Sequence, residues 1–375
     1  RAAPLPAPAD MRYDSSAWTL AGFDNAATHA VTLQGCCNGT PPAPAWFQSL
    51  GVPLLVAPII SNGLIYVLAA DGYLHVLRAS DGAEQWRVPV GGDMSSDGLT
   101  IGNGILYLAE DGHYLAALDA QHGKQLWRFD TGDVVRGAPV AIGPDVLVSG
   151  GGNSLYCLDA RTGREYWAFH SEDTLAQFWP TRGVPAVADK LVYVALGASD
   201  EFNVLQLKTG RKVWEVNLHE RMMGGPLLDV TVGLVYIVTW SGKVVALDMQ
   251  TGALRWRYAL AAGSESSPAL DVQTGTLYVG DYGGSLYALN AQNGGLRWRL
   301  DMGSAINTTP LVLRTTKHTW LAVAEQVGTL ALLDAATGKR ESSWQLGELR
   351  ASPVVAQGML YQASLGDLGI FAIRI

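Results

Sequence analysis

Cys36 and Cys37 stand side by side, so two thiols are within reach of one local oxidation. The third cysteine, Cys157, lies in an apolar run and reads as a small buried hydrophobe rather than a nucleophile. Three cysteines give neither a disulfide framework nor a cysteine-based metal site. The seven histidines (His29, His75, His113, His122, His170, His219 and His318) show no metal-ligand spacing. Asn38-Gly39-Thr40 fits a glycosylation sequon and equally a simple turn. Different chemistry is offered by His170-Ser-Glu-Asp-Thr-Leu-Ala-Gln-Phe-Trp-Pro-Thr-Arg-Gly183. Aromatic and arginine side chains anchor protein interfaces. Leu175, Phe178, Trp179, Arg182 and Gly183 are therefore the candidate partner-binding loop; the competing reading is a loop that packs its own aromatics over the fold.

Composition narrows the classes. With 48% hydrophobic and 16% charged residues and 43 glycines, the chain suits a large core joined by many tight turns. The net charge is −8 and no Lys/Arg run occurs, which argues against nucleic acid as a partner. No stretch of 18 or more apolar residues is present to span a bilayer as a helix. Arg1-Ala-Ala-Pro-Leu-Pro-Ala-Pro-Ala-Asp10 reads as an extended linker of the kind that follows a removed signal peptide or an upstream anchor.

The elements that position these residues come from a repeat. Ala79-Ser-Asp-Gly-Ala-Glu-Gln-Trp86 returns as segments ending at Trp127, Trp167, Trp214, Trp256 and Trp298, and in a form two residues longer at Trp344. An eighth tryptophan, Trp46, precedes Trp86 by 40 residues, and later spacings are 41, 40, 47, 42, 42 and 46. A period of about 42 residues in an all-β pattern is one four-stranded propeller blade. In the unit ending at Trp86, Ala57–Ile60, Leu64–Leu68, Tyr73–Leu77 and the Trp86 segment are the four strands, turned at Asn62-Gly63, Asp71-Gly72 and Asp81-Gly82. Each motif glycine supplies a positive φ. Each tryptophan buries a large area and offers its indole N–H to a neighbouring blade. Trp46, Trp86, Trp127, Trp167, Trp214, Trp256, Trp298 and Trp344 are thus structural docking residues.

The ends complete one another. Trp46–Leu50 is a fourth strand without its first three, and residues 351–375 are three strands without a fourth. The sequence predicts an all-β, eight-bladed β-propeller over residues 41–375, its ring closed by the strand around Trp46, after a linker or extension over 1–40.

This pattern, over about residues 46–375, resembles the pyrroloquinoline quinone (PQQ)-like repeat family. One branch holds periplasmic quinoprotein dehydrogenases; the other holds the outer-membrane assembly factor BamB and similar non-enzymatic propellers. Resemblance to the BamB branch implies that the long 167→214 interval carries a loop docking onto the periplasmic domains of the assembly barrel. Leu175, Arg182 and Gly183 match that loop in kind. The branch also uses acidic residues before the following inner strand, where this chain has Glu220-Arg-Met-Met-Gly-Gly225 with Glu220 alone acidic.

Resemblance to the dehydrogenases implies PQQ with Ca²⁺ or a lanthanide, held over an aromatic floor by carboxylates and amides. Cys36-Cys37 is similar to their vicinal pair, Trp18–Asp24 to their opening segment, Trp240 to a floor, and Glu110, Asp281, Glu325 and Arg350 to the charged set. Three features oppose this. Those enzymes are markedly longer, Cys36-Cys37 precedes the first docking strand, and no Glu/Asn/Asp set falls at matching positions.

Residues just before the inner strands are expected at one mouth of the central channel: Asp97, Arg136, Arg182, Arg221, Glu265, Asn307 and Arg350. An acidic peptide or small carboxylate suits that cation-rich set; pairing with one another and with water is the plainer role. The expected function is a non-catalytic scaffold in the periplasm or at the outer cell surface, without cofactor or metal. It binds a protein partner, in the leading form an outer-membrane assembly component. The alternatives are a PQQ-dependent alcohol or sugar dehydrogenase and a ligand-sensing domain of a larger receptor.

Overall fold

Strands alternate with turns containing Gly, Asn and Asp, and each blade is an antiparallel meander. A computed structural model describes residues 29–33, 43–54, 56–90, 98–110, 113–132, 134–135, 137–150, 154–171, 184–196 and 200–375, with the backbone alone at 109 and 110. These residues form eight sheets and no helix. The first blade runs through Ile59–Ser61, Leu64–Leu68, Tyr73–Arg78 and Glu84–Pro89, strands A to D from the channel outward. Blades 2 to 7 repeat this order. In blade 8, Val354–Ala356, Met359–Ser364 and Gly369–Arg374 supply strands A to C, and Trp46–Ser49 pairs antiparallel with Gly369–Ala372 as strand D. The ring closes as the sequence predicts.

The blade junctions explain why the motif recurs. The Trp127 indole N–H donates to the Ala160 carbonyl of the next blade at 3.1 Å, Trp167 to Leu207 at 2.8 Å and Trp256 to Ala291 at 2.8 Å. Trp46, Trp214 and Trp298 donate to Ala79, Met249 and Ala335 in the same way. A β-bulge just before the tryptophan, as in the break between Gln125 and Trp127, turns each of these rings except Trp46 toward the junction. The motif glycine has a second duty beyond its backbone conformation. Gly163 has φ 70°, and a Cβ there would come within 2.6 Å of Trp127; at Gly210 (φ 66°) it would come within 2.5 Å of Trp167. Ring and glycine therefore constrain each other across every junction from blade 8/1 to blade 6/7.

A second belt lies behind the first. The Tyr66, Tyr107, Tyr193, Tyr278 and Tyr361 hydroxyls, all on strand B, donate to the carbonyls of Ala120, Ala160, Met249, Ala335 and Ala79. Ala160 thus accepts both Trp127 and Tyr107. Burial pushes the Tyr66 and Tyr107 phenols up to about 12, so they stay protonated donors. Around these belts, strand A to C side chains form the buried aliphatic clusters between blades.

Among the described residues, one element falls outside the repeat. Ala30–Thr32, within the segment expected as a linker, pairs in parallel with Leu311–Arg314, the inner strand of blade 7, and touches the inner strand of blade 6. It satisfies part of a channel-facing backbone edge: Leu33 N–H donates to the Arg314 carbonyl at 2.6 Å and Val312 N–H to the His29 carbonyl at 2.9 Å. Val31 and Leu33 are buried, and burial depresses the His29 imidazole to about 4.

Candidate interaction face

An antiparallel four-stranded blade sends its A–B and C–D turns to one end of the ring. Its B–C turn and the connector to the next blade go to the other end. At this second end, blades 5 to 8 are laced by backbone bonds. Trp240 N–H donates to Arg221 O at 2.8 Å, Ser264 N–H to Trp240 O at 3.3 Å, and Tyr282 N–H to Gly263 O at 2.9 Å. The lacing continues from Gln326 to Ala305 at 3.0 Å and from Leu365 to Glu348 at 2.8 Å. Each B–C turn is thus held by the connector beside it.

That close passage dictates local sequence. A Cβ at Gly242 (φ 83°) would lie 2.0 Å from the Ala262 carbonyl oxygen, so only glycine fits there. With the inner side of the turn filled by the connector, Trp240 is left 46% exposed, its ring edge-on to Tyr282 at 5.9 Å. Val327, on the corresponding turn of blade 7, is 68% exposed. Three successive turns therefore present Trp240, Tyr282 and Val327 on one rigid face.

The charged groups beside this row are mostly spoken for. Glu220 accepts from Lys243 and Ser241, and the Lys243 hydrogen bond leads in holding its carboxyl below the usual range. Arg350 pairs with Glu348 at 2.8 Å. Asn307 donates to Gln326 Oε1 at 3.3 Å, while its own Oδ1 is buried without a partner. Arg221 is exposed and has no carboxylate partner among the described residues. Arg221, Glu265, Asn307 and Arg350 all sit on connectors at this end, where the sequence predicts the channel mouth. Asp97, Arg136 and Arg182 lie outside the described residues, as do Leu175, Phe178, Trp179 and Gly183 of the candidate loop and the pair Cys36-Cys37.

Among the described residues, those singled out for a quinone site have partners of their own. The Asp281 carboxylate is wholly buried and accepts from Ser285 N–H at 2.8 Å and the Tyr287 hydroxyl at 2.9 Å, bracing its own turn. Glu325 pairs with Arg340 at 3.1 Å; burial raises its carboxyl above the usual range despite that guanidinium. Trp240 meets Tyr282 edge-on and faces solvent instead of lying as a flat floor. The side chain of Glu110 lies outside the described residues. Among the described residues no three His, Cys, Asp or Glu groups converge as a metal site. Cys157 is buried, and burial pushes its thiol up to about 12, the inert state expected of it.

Comparison with known proteins agrees with this architecture. The family model described as outer membrane protein assembly factor BamB matches residues 70–221 and 266–316, more than half of the chain. Among solved structures, BamB from Moraxella catarrhalis superimposes with a TM-score of 0.72 at 19% identity, covering 89% of this chain and 99% of that one. The quinohemoprotein alcohol dehydrogenase ADHIIG from Pseudomonas putida HK5 gives 0.80 at 15% identity, covering 96% and 80%. A europium-containing methanol dehydrogenase gives 0.77 at 17%, covering 93% and 89%. At such identities the structural likeness shows the fold alone. No curated protein sequence matches the chain.

Proposed function

The chain belongs to the family described as outer membrane protein assembly factor BamB, and from that premise we propose that it is a non-catalytic binding scaffold outside the cytoplasm. It takes a protein partner on the end of the ring formed by the B–C turns and the connectors. Its leading role is in outer-membrane protein assembly, in the periplasm or at the outer cell surface. No helix among the described residues is long and apolar enough to cross a membrane. The supporting observation is the row of Trp240, Tyr282 and Val327, held outward on a backbone-laced face with Arg221 beside it. A half-exposed tryptophan on a rigid platform costs little entropy to dock and is a frequent energetic anchor.

The reading rests on binding without a cofactor. The test is interferometry of the purified chain against the periplasmic domains of an outer-membrane assembly barrel, using the parent chain, Trp240→Ala and Arg182→Ala. Micromolar binding, weakened by either substitution at an unchanged melting temperature, is the expected result. Absence of binding, together with saturable uptake of PQQ and Ca²⁺ and dye-linked alcohol oxidation, would replace this reading with the dehydrogenase one.

A further inference from the structure

At the opposite end of the ring, where the A–B and C–D turns emerge, a cavity of about 390 Å³ opens between blades 6 and 7. That volume is in the range of small-ligand sites. The inner hairpin of blade 1 turns on Asn62-Gly63, whereas blades 5, 6 and 7 share a four-residue turn, which in blade 7 is Thr315–His318.

Both walls are fixed in advance. The blade 7 turn is locked on itself: Thr315 N–H donates to the His318 carbonyl at 2.8 Å, and His318 N–H to the Thr315 hydroxyl at 3.0 Å. This leaves Lys317 exposed on the turn. On the blade 6 side, Arg297 is the extra residue of the β-bulge before Trp298. Its guanidinium is strapped to Thr276 Oγ1 and the Thr274 carbonyl, each at 2.9 Å, and to the Gly275 carbonyl at 3.2 Å.

The charge balance identifies the ligand class. In blade 5 the equivalent bulge residue, Arg255, reaches the motif carboxylate Asp248 at 3.4 Å. Blade 6 has the neutral Asn290 at that motif position, so Arg297 is bonded only to neutral oxygens. Lys317 has no carboxylate partner among the described residues. The two carboxylates lining the cavity are already engaged. Asp271 is held by the nine-tenths buried Arg314, whose Nε has no partner. Asp334 accepts from His318 at 2.6 Å and from the Thr337 N–H and hydroxyl. Asp334 meets only threonine donors and a histidine, so Arg297 and Lys317 together outweigh its charge and leave a threonine-lined, preorganised polar cavity with a net positive balance on a protein of net negative charge.

We propose that this cavity binds a compact oxyanion, a phosphate or carboxylate group, between Arg297 and Lys317. Charge-assisted hydrogen bonds to such groups are the strong ones, and the rigid walls spare the ordering cost. The site is remote from the interaction face and operates independently of it.

Calorimetric titration of the full chain at fixed ionic strength tests this, with inorganic phosphate in one series and N-acetylglycine in another. Expected is saturable one-site binding of at least one probe. Affinity should fall about tenfold in Lys317→Gln, an exposed-turn change, and in Arg297→Gln, and stay unchanged in Lys208→Gln, an exposed lysine of blade 4 outside the cavity. The stronger probe identifies phosphate or carboxylate as the preferred group. Absence of saturable binding by both probes, or affinities that ignore Lys317→Gln or fall equally with Lys208→Gln, overturns the proposal.

Discussion

Trp127 and Trp240 are the same side chain in opposite circumstances. Trp127 is 9% exposed, bonded through its indole N–H to the next blade, and pressed against the spot where Gly163 has no Cβ. Trp240 is 46% exposed on a turn whose inner side is filled by a neighbouring connector. The first belongs to a motif and serves the ring; the second belongs to none and, under the proposed function, meets the partner.

The largest effect that tests this contrast is Trp127→Ala. It should cost about 3–5 kcal/mol, read as a lower urea midpoint, because it opens a cavity and orphans a junction. Trp240→Ala should instead leave that midpoint within about 0.5 kcal/mol while weakening partner binding by about 2 kcal/mol, roughly thirtyfold. If Trp240→Ala unfolds the chain as Trp127→Ala does, the contrast fails. Gly163→Ala should cost about 1–3 kcal/mol, since it adds a Cβ at positive φ against the Trp127 ring. Tyr107→Phe removes one of two donors to the Ala160 carbonyl and should cost about 1 kcal/mol by the same measurement.

The smallest effect concerns the motif turn itself. Hydrogen bonds from Tyr166 and then Thr162 hold the exposed Asp159 carboxyl down at about 2. Its folded value lies below its unfolded value, so its contribution is present above pH ~4 and is lost as pH falls toward 2. Asp159→Asn should flatten the acid limb of the stability profile in that window only.

The ring was legible because seven motifs in register set a period of about 42 residues in an all-β pattern, the size of one four-stranded blade. The closure of blade 8 followed from two incomplete blades at the ends. The tyrosine belt also has a sequence signal, the Tyr at the centre of Ile65-Tyr-Val67, Leu106-Tyr-Leu108 and Val192-Tyr-Val194. Read as alternating apolar strand, it hides its hydroxyl, because the acceptor lies some 54 residues away for Tyr66. The strand Ala30–Thr32 carries no period in three residues, and only the open edge of Leu311–Arg314 gives it a place. Trp240 was visible as a tryptophan outside the repeat motif, but its outward setting depends on the Ala262 carbonyl in a separate connector. The blade 6/7 cavity needed both a lengthened turn and an Asn290 for Asp exchange, each unremarkable alone.

The strand that closes the ring also sets a clock. Ser49 meets Leu368, made 319 positions later. At about 5–20 residues per second, the ribosome leaves Trp46–Ser49 without its partner for on the order of 15–60 s. Blade 1 can form within that interval, but blade 8 beside it cannot. A factor that shields one early aromatic strand would therefore speed assembly more than one that binds any later blade, and moving the chain ends to a loop between two whole blades would abolish the delay while keeping every contact.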